Sequence, residues 1–230
     1  MTATFAATTM TAMALYAPHA PLVMEARPLP APGPCEIRLK VEACGVCRTD
    51  LHVVDGELTK PKRPIVPGHE IVGRVDALGA GVTALRLGER VGVPWLGHTC
   101  GHCSYCASAH ENLCDDPLFT GYTRDGGYAT HAIADAAYCF PLAETADAAL
   151  LAPLLCAGLI GWRTLKLAGP AQNIGIYGFG AAAHIIAQVA ILQGRRVHAF
   201  VRPGDQAAID FARGLGVATA QDSDAPAPEQ

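Results

Sequence analysis

The chain has 230 residues with 17 basic and 21 acidic side chains, a formal net charge of −4 with histidine neutral. No Lys/Arg run exists to neutralise phosphates, so a nucleic-acid-binding surface is excluded. Half of the residues are hydrophobic, which excludes general disorder and supplies a sizeable core, and 24 glycines and 17 prolines with only 6% aromatics favour a turn-rich β architecture over a helical bundle.

Residues 1–10 are rich in Thr and Ala and have no basic stretch before an apolar run. They read as a frayed extension, not a signal peptide. Alternation over 35–43 puts Ile37, Leu39 and Val41 on one face of a strand. Further short strands are expected at 71–75, 90–93 and 129–133, bounded by Gly or Pro. Short strands at this spacing suggest a closed or partly closed barrel. The texture changes near Ala148. Helical stretches at 146–155 and 156–167 lead into a strand at 173–177, a helix at 181–192, a strand at 197–201, a helix at 205–215 and a strand starting at 217. That alternation is the start of a parallel doubly wound sheet. The last residues, from Asp222, are acidic, Pro-rich and without periodicity. The longest apolar stretch, 148–160, is broken by Pro153 and Gly158 and is too short to span a bilayer.

Nine cysteines, an odd number, do not suit a disulfide framework, and a reducing cytoplasm is the expected location. Cys100, Cys103, Cys106 and Cys114 follow the spacing C-x2-C-x2-C-x7-C. Four thiolates satisfy tetrahedral zinc and leave no open position, which marks a structural site. Disulfides are the alternative, but neighbouring knuckle cysteines make poor disulfide geometry. A second set lies in three segments: ACGVCRTDLH at 43–52, PGHEIVG at 67–73 and PLLCAG at 153–158. Two cysteines and a histidine from separate segments make a three-ligand zinc site with one open position, the catalytic pattern. IGIYGFGAAAH at 174–184 places Gly178, Gly180 and Ala183 at the G-x-G-x-x-G/A positions, after a strand and before a helix. Such a turn lets the backbone approach a pyrophosphate seated on the helix N-terminus.

These motifs, in this order and spacing, resemble the zinc-dependent alcohol dehydrogenases of the medium-chain dehydrogenase/reductase superfamily, over essentially the whole chain after about the tenth residue. The resemblance implies a GroES-like catalytic domain at 1–156 followed by a partial Rossmann domain at 157–230, an α/β fold with a β-rich part. It implies two zinc ions per chain and NAD or NADP, with hydride passing between a small alcohol or aldehyde and the nicotinamide. Cys47, His69 and Cys156 match the catalytic zinc ligands. Glu70 matches an adjacent acid that can approach the metal, and Asp50 a carboxylate that orients the ligand histidine. Thr49 and His52 match a proton relay, Arg48 a contact to the cofactor pyrophosphate, and Trp95 a wall of the substrate pocket. Cys35, Cys44 and Cys139 are left without a metal role. Val201 falls where NAD-preferring members carry Asp, and Arg202 beside it suits a 2′-phosphate, so both cofactors stay open, with Asp205 close by. The family is usually homo-oligomeric and markedly longer than 230 residues. A C-terminally truncated chain is therefore expected, and a catalytically inactive zinc-binding fragment is the alternative to an active enzyme.

Overall fold

The computed structural model describes residues 8–59 and 61–226. The chain divides into two compact units, Met1–Cys156 and Ala157–Gln230.

Unit 1 opens with a hairpin of β1 (Thr9–Ala14) and β2 (Val23–Pro28). Residues 1–7 of the expected extension lie outside the described residues, but Thr9 and Met10 belong to a strand, not to a frayed end. Met10, Ala12 and Ala14 face inward and the residues between them do not, so β1 has a strand's period of two. β3 (Glu36–Cys44) follows, then helix α1 (Arg48–Val54), β4 (Ile71–Leu78), β5 (Arg90–Val93) and β6 (Leu96–His98). A four-residue helix α2 (Ser104–Ala107), β7 (Leu118–Phe119), β8 (His131–Asp135), β9 (Phe140–Pro141) and helix α3 (Ala148–Leu151) complete the unit.

The central sheet has the order β8-β3-β4-β5-β9, every pairing antiparallel. Its edge strands do not pair with each other among the described residues, so the closed form of the expected barrel is not what forms. The β1–β2 hairpin joins other parts of the unit through isolated bridges at Ala12↔Ala129 and Leu15↔Ile65. Ile37, Leu39, Ile71, Val75, Val91 and Val93 form the core of the sheet. β8 lies two residues later than the stretch expected from the sequence, and its inward residues are the small Ala132 and Ala134, not Ile133. After α3, a 3-10 turn over Ala152–Leu155 packs Ala152 and Leu155 on Val72. Gly92 makes room for it: a Cβ there would lie 2.5 Å from Leu155 Cδ2.

Unit 2 runs α4 (Ala157–Leu167), β10 (Asn173–Tyr177), α5 (Ala181–Leu192), β11 (Arg196–Val201), α6 (Gln206–Gly214) and β12 (Thr219–Asp222). Asp222 thus closes a strand and does not begin the tail; residues 227–230 of that tail lie outside the described residues. The three strands are parallel in the order β10-β11-β12. Leu165, Ile186, Ala187, Ala190, Val197, Ala199, Val201 and Ile209 share one core. Helices α4 and α5 approach closely at Gly161, where a Cβ would meet the Ala182 carbonyl oxygen at 2.9 Å. No single helix among the described residues is long and apolar enough to cross a membrane.

Candidate metal centres and cofactor loop

Cys47 caps the N-terminus of α1, and Asp50 stands three residues on, in its first turn. The Cys47 N–H donates to Asp50 Oδ2 at 2.8 Å. The other oxygen, Oδ1, accepts from the Gly68 N–H at 3.1 Å and meets His69 Nδ1 at 2.9 Å. One buried carboxylate therefore joins the segments that carry two candidate ligands, and its donors offset the cost of burial. Gly68 sits at φ +98, and a Cβ there would fall 2.6 Å from the Tyr128 ring, so the chain reaches His69 through a turn that only glycine fits.

His69 is fully buried. With Nδ1 engaged by Asp50, Nε2 is a buried polar atom without a partner. Around it, Cys47, His69, Glu70 and Cys156 each offer a ligand atom within 4.8 Å of the others. Cys156 is delivered by the 3-10 turn, and its Sγ stands 3.8 Å from Cys47 Sγ. Two sulfurs about 2.3 Å from one zinc at tetrahedral angles are about 3.8 Å apart, whereas a disulfide needs about 2.05 Å. The donor set and its spacing fit zinc. Burial pushes the Cys156 thiol up to about 12, and the neighbouring Cys47 adds to the effect. Glu70 is buried beside the ligands, and that burial raises its carboxyl above the usual range. Its Oε2 occupies the space over Gly45, 1.9 Å from where a Cβ would be.

Trp95 meets the His69 ring edge-on with centroids 5.1 Å apart. It also stacks on Phe119 at 5.1 Å and on Tyr122 at 5.7 Å. Sequence reasoning singled out Trp95 but missed these two aromatic neighbours, whose signal was only their place in a Gly-rich stretch after the cysteine lobe. Thr49 Oγ1 lies 3.9 Å from Cys47 Sγ. Thr49 and His52 sit three residues apart on α1 and so share a face. His52 Nδ1 is 2.6 Å from Glu57 Oε2, a partner that sequence reasoning also missed. Arg48 is exposed at the start of α1.

The second cluster brings together Cys100, Cys103, Cys106 and Cys114, again within 4.8 Å. Backbone N–H groups aim at its sulfurs: Cys103 N donates to Cys100 Sγ at 3.4 Å, Cys106 N to Cys103 Sγ at 3.5 Å and Cys100 N to Cys114 Sγ at 3.3 Å. Such donors favour the thiolate. They lower Cys103 to about 6, while burial raises Cys106 to about 11. Four thiol donors with no carboxylate or water position fit a closed zinc site. Cys35, Cys44 and Cys139 fall in neither cluster.

In unit 2 the loop after β10 turns at Gly178, with φ +82 and its N–H donating to the Phe200 carbonyl at 2.8 Å. Gly180 caps α5, and Ala183 is half-buried in the first turn. A Cβ at Gly178 or Gly180 would find nothing within 4 Å, so these bare backbones border open space that fits a dinucleotide pyrophosphate. Val201 is 2% exposed and part of the core, so its side chain does not reach the surface at the end of β11. The first exposed side chain there is Arg202. Asp205 is engaged as the cap of α6, where Oδ1 accepts from the Ala208 N–H at 3.0 Å.

Residues 33–144 match the alcohol dehydrogenase GroES-like domain. The chain is 46% identical over 202 residues to a probable alcohol dehydrogenase, AdhA, of Mycobacterium tuberculosis, covering 85% of this chain and 58% of that protein. Among solved structures it is similar to the Helicobacter pylori CAD complexed with NADP(H), with TM-score 0.83, 25% identity, and 93% of this chain and 64% of that one covered. It is also similar to the cobalt- and zinc-bound thermostable alcohol dehydrogenase of Pyrobaculum aerophilum, with TM-score 0.81, 28% identity, and 92% and 65% covered. The chain thus spans little more than half the length of the curated relative. These likenesses run through both units, a GroES-like one and a Rossmann-like one, and the chain belongs to the alcohol dehydrogenases of the medium-chain dehydrogenase/reductase superfamily.

Proposed function

We propose that the chain provides the metal site, proton relay and dinucleotide loop of a zinc-dependent, NAD(P)-linked oxidoreductase that interconverts small alcohols with aldehydes or ketones. The observation that carries this reading is the orphaned, buried Nε2 of His69 beside two thiols 3.8 Å apart. Cys47, His69 and Cys156 would hold a zinc ion, which would supply the Lewis acidity that lowers an alcohol's pKa, and a bound nicotinamide would supply the hydride acceptor. Asp50 keeps the His69 ring in place and its Nδ1 protonated, so that Nε2 offers its lone pair to the metal. Glu70 waits beside the ligands as a further acid. Trp95 gives the substrate an apolar wall, which suits a small alkyl group. Thr49 accepts the hydroxyl proton and hands it to His52, which passes it to solvent. Gly178, Gly180 and Ala183 with the start of α5 cradle the pyrophosphate, Arg48 meets it, and Arg202 pairs with a 2′-phosphate where NADP is used. Cys100, Cys103, Cys106 and Cys114 hold a second, structural zinc.

A second reading is a metal-binding chain without turnover. The observation behind it is that the parallel sheet of unit 2 has three strands among the described residues, while the nicotinamide must be held near the reacting carbon to within about an ångström. One experiment separates the two: zinc analysis of the purified 230-residue chain with cofactor reduction measured over an alcohol panel. Alcohol-dependent reduction supports the enzyme reading. Two zinc ions with turnover at background supports the second. No zinc lost from Cys47→Ala would sink the catalytic-site assignment in both.

A further inference from the structure

Helix α1 ends in a turn that folds the chain back over its own last residues. Gly56 takes φ +73 and donates its N–H to the Val53 carbonyl at 3.3 Å. The next N–H, of Glu57, donates to the His52 carbonyl at 3.0 Å. These are the five-to-two and six-to-one bonds of a Schellman motif with glycine at C′. The motif sets the residue after the glycine against the third-last residue of the helix, a pair that is commonly apolar. Here the pair is Glu57 and His52, and their Oε2 and Nδ1 atoms are 2.6 Å apart. The turn is held from outside as well. A Cβ on Gly56 would lie 2.8 Å from Pro18 Cβ, and the His19 N–H donates to the Val54 carbonyl at 2.7 Å.

We propose that Glu57 is a positioning residue for the proton relay: its carboxylate holds His52 as the Nδ1–H tautomer and leaves Nε2 as the proton-accepting atom. The proposal rests on the relay role given to His52 above. A neutral imidazole carries one N–H, and the partner of one nitrogen decides the state of the other. An ionised carboxylate only accepts, so Nδ1 must donate to Glu57, and the lone pair then resides on Nε2. When Nε2 takes a proton the ring carries two N–H bonds, and the carboxylate faces the new positive charge. Release of the same proton to solvent restores the starting tautomer. His52 is 36% exposed, enough for that exchange. Asp50 stands in the same relation to His69, with Nδ1 held so that Nε2 is free for its task.

The test is long-range proton–nitrogen NMR of the full chain labelled with 15N-histidine, at a pH where imidazoles are neutral. The His52 signals are assigned by their loss in His52→Gln. The native chain is expected to show Nδ1 protonated. Glu57→Ala should move His52 toward the Nε2–H tautomer, and Glu57→Gln, whose amide oxygen still accepts, should retain Nδ1–H. Identical His52 nitrogen shifts in the native chain and in Glu57→Ala would overturn the proposal, as would an Nε2–H tautomer in the native chain. In the zinc- and cofactor-loaded protein, Glu57→Ala should lower kcat about 10-fold with KM little changed. Failure of the relay reading shows differently: His52→Gln would leave kcat intact while the tautomer shift in Glu57→Ala persists.

Discussion

Asp50 ties three groups from two segments of the candidate site through one carboxylate, so its replacement tests the site more sharply than loss of a ligand does. In Asp50→Asn the amide keeps the shape but presents an N–H₂ group to one of the donors that Asp50 now satisfies. Outer partners of ligand histidines are typically worth about 10- to 100-fold in metal affinity. Asp50→Asn should weaken zinc at the Cys47 site by that much in a chelator competition and leave the four-cysteine site alone; equal affinity would remove the orienting role. A second residue sets a pH dependence away from both candidate metal clusters. His131 on β8 is 13% exposed, with Nε2 3.6 Å from Asp76. Burial pushes its pKa below 6.5; Arg38 and Lys40 push the same way, and Asp76 opposes them. Between the folded value and 6.5 the unfolded chain holds more protons than the folded one, so stability rises with pH through that window and is flat above it. Urea unfolding of unit 1 should show this slope, read by Trp95 fluorescence in a Trp162→Phe background, and His131→Gln should flatten it. An unchanged slope would mean that His131 does not stay neutral in the fold.

At the level of elements, the cysteine lobe makes a chemical prediction of its own. Backbone donors lower Cys103 to about 6 and so favour its thiolate, whereas burial raises Cys106 to about 11 and favours its thiol. A closed zinc site needs four thiolates, so uptake must expel protons and apparent affinity must rise with pH. Zinc competition in a Cys47→Ala background between pH 6 and 8 should show that rise; a flat profile would mean that the thiols are already ionised. The lobe was legible in the sequence because a short C-x2-C spacing dictates its own local geometry. β10 and α5 were legible for a related reason: an apolar strand, a glycine turn and an apolar periodic run agree with one another. β1 was not. Its buried positions are Met10, Ala12 and Ala14, which carry no β-branched or aromatic signal, and its partner β2 follows only after a long loop. In β8 the largest aliphatic side chain, Ile133, is not on the core side, so apolar bulk does not mark the strand's inward face. Glu57 reads in sequence as one more surface charge. Only the backbone turn at Gly56 brings it onto His52.

At the scale of the whole molecule, both metal clusters belong to unit 1 and the glycine loop to unit 2. Metal content therefore reports on the first unit. Within unit 1 the clusters share no ligand, and they are built by different means. The four-cysteine set comes from one continuous stretch around α2. The other set needs the cap of α1, the turn before β4 and the 3-10 turn packed on Val72. Sites without common partners contribute independently. The fully loaded chain should hold two zinc ions. On the proposed assignment, Cys47→Ala removes one of three protein ligands from an open site, and Cys103→Ser removes a thiolate from a closed one. Each variant should lose one equivalent in elemental analysis, and the double variant both. Cys103→Ser should also raise protease nicking in the Cys100 to Cys114 loop, because its four-residue helix and short turns have no buried apolar side chains except that of Cys114 to hold them without a metal. Zinc that stays at two in Cys47→Ala would take the metal away from Cys47, His69 and Cys156. Zinc that falls to none in Cys103→Ser would mean that the lobe and the buried site stand or fall together.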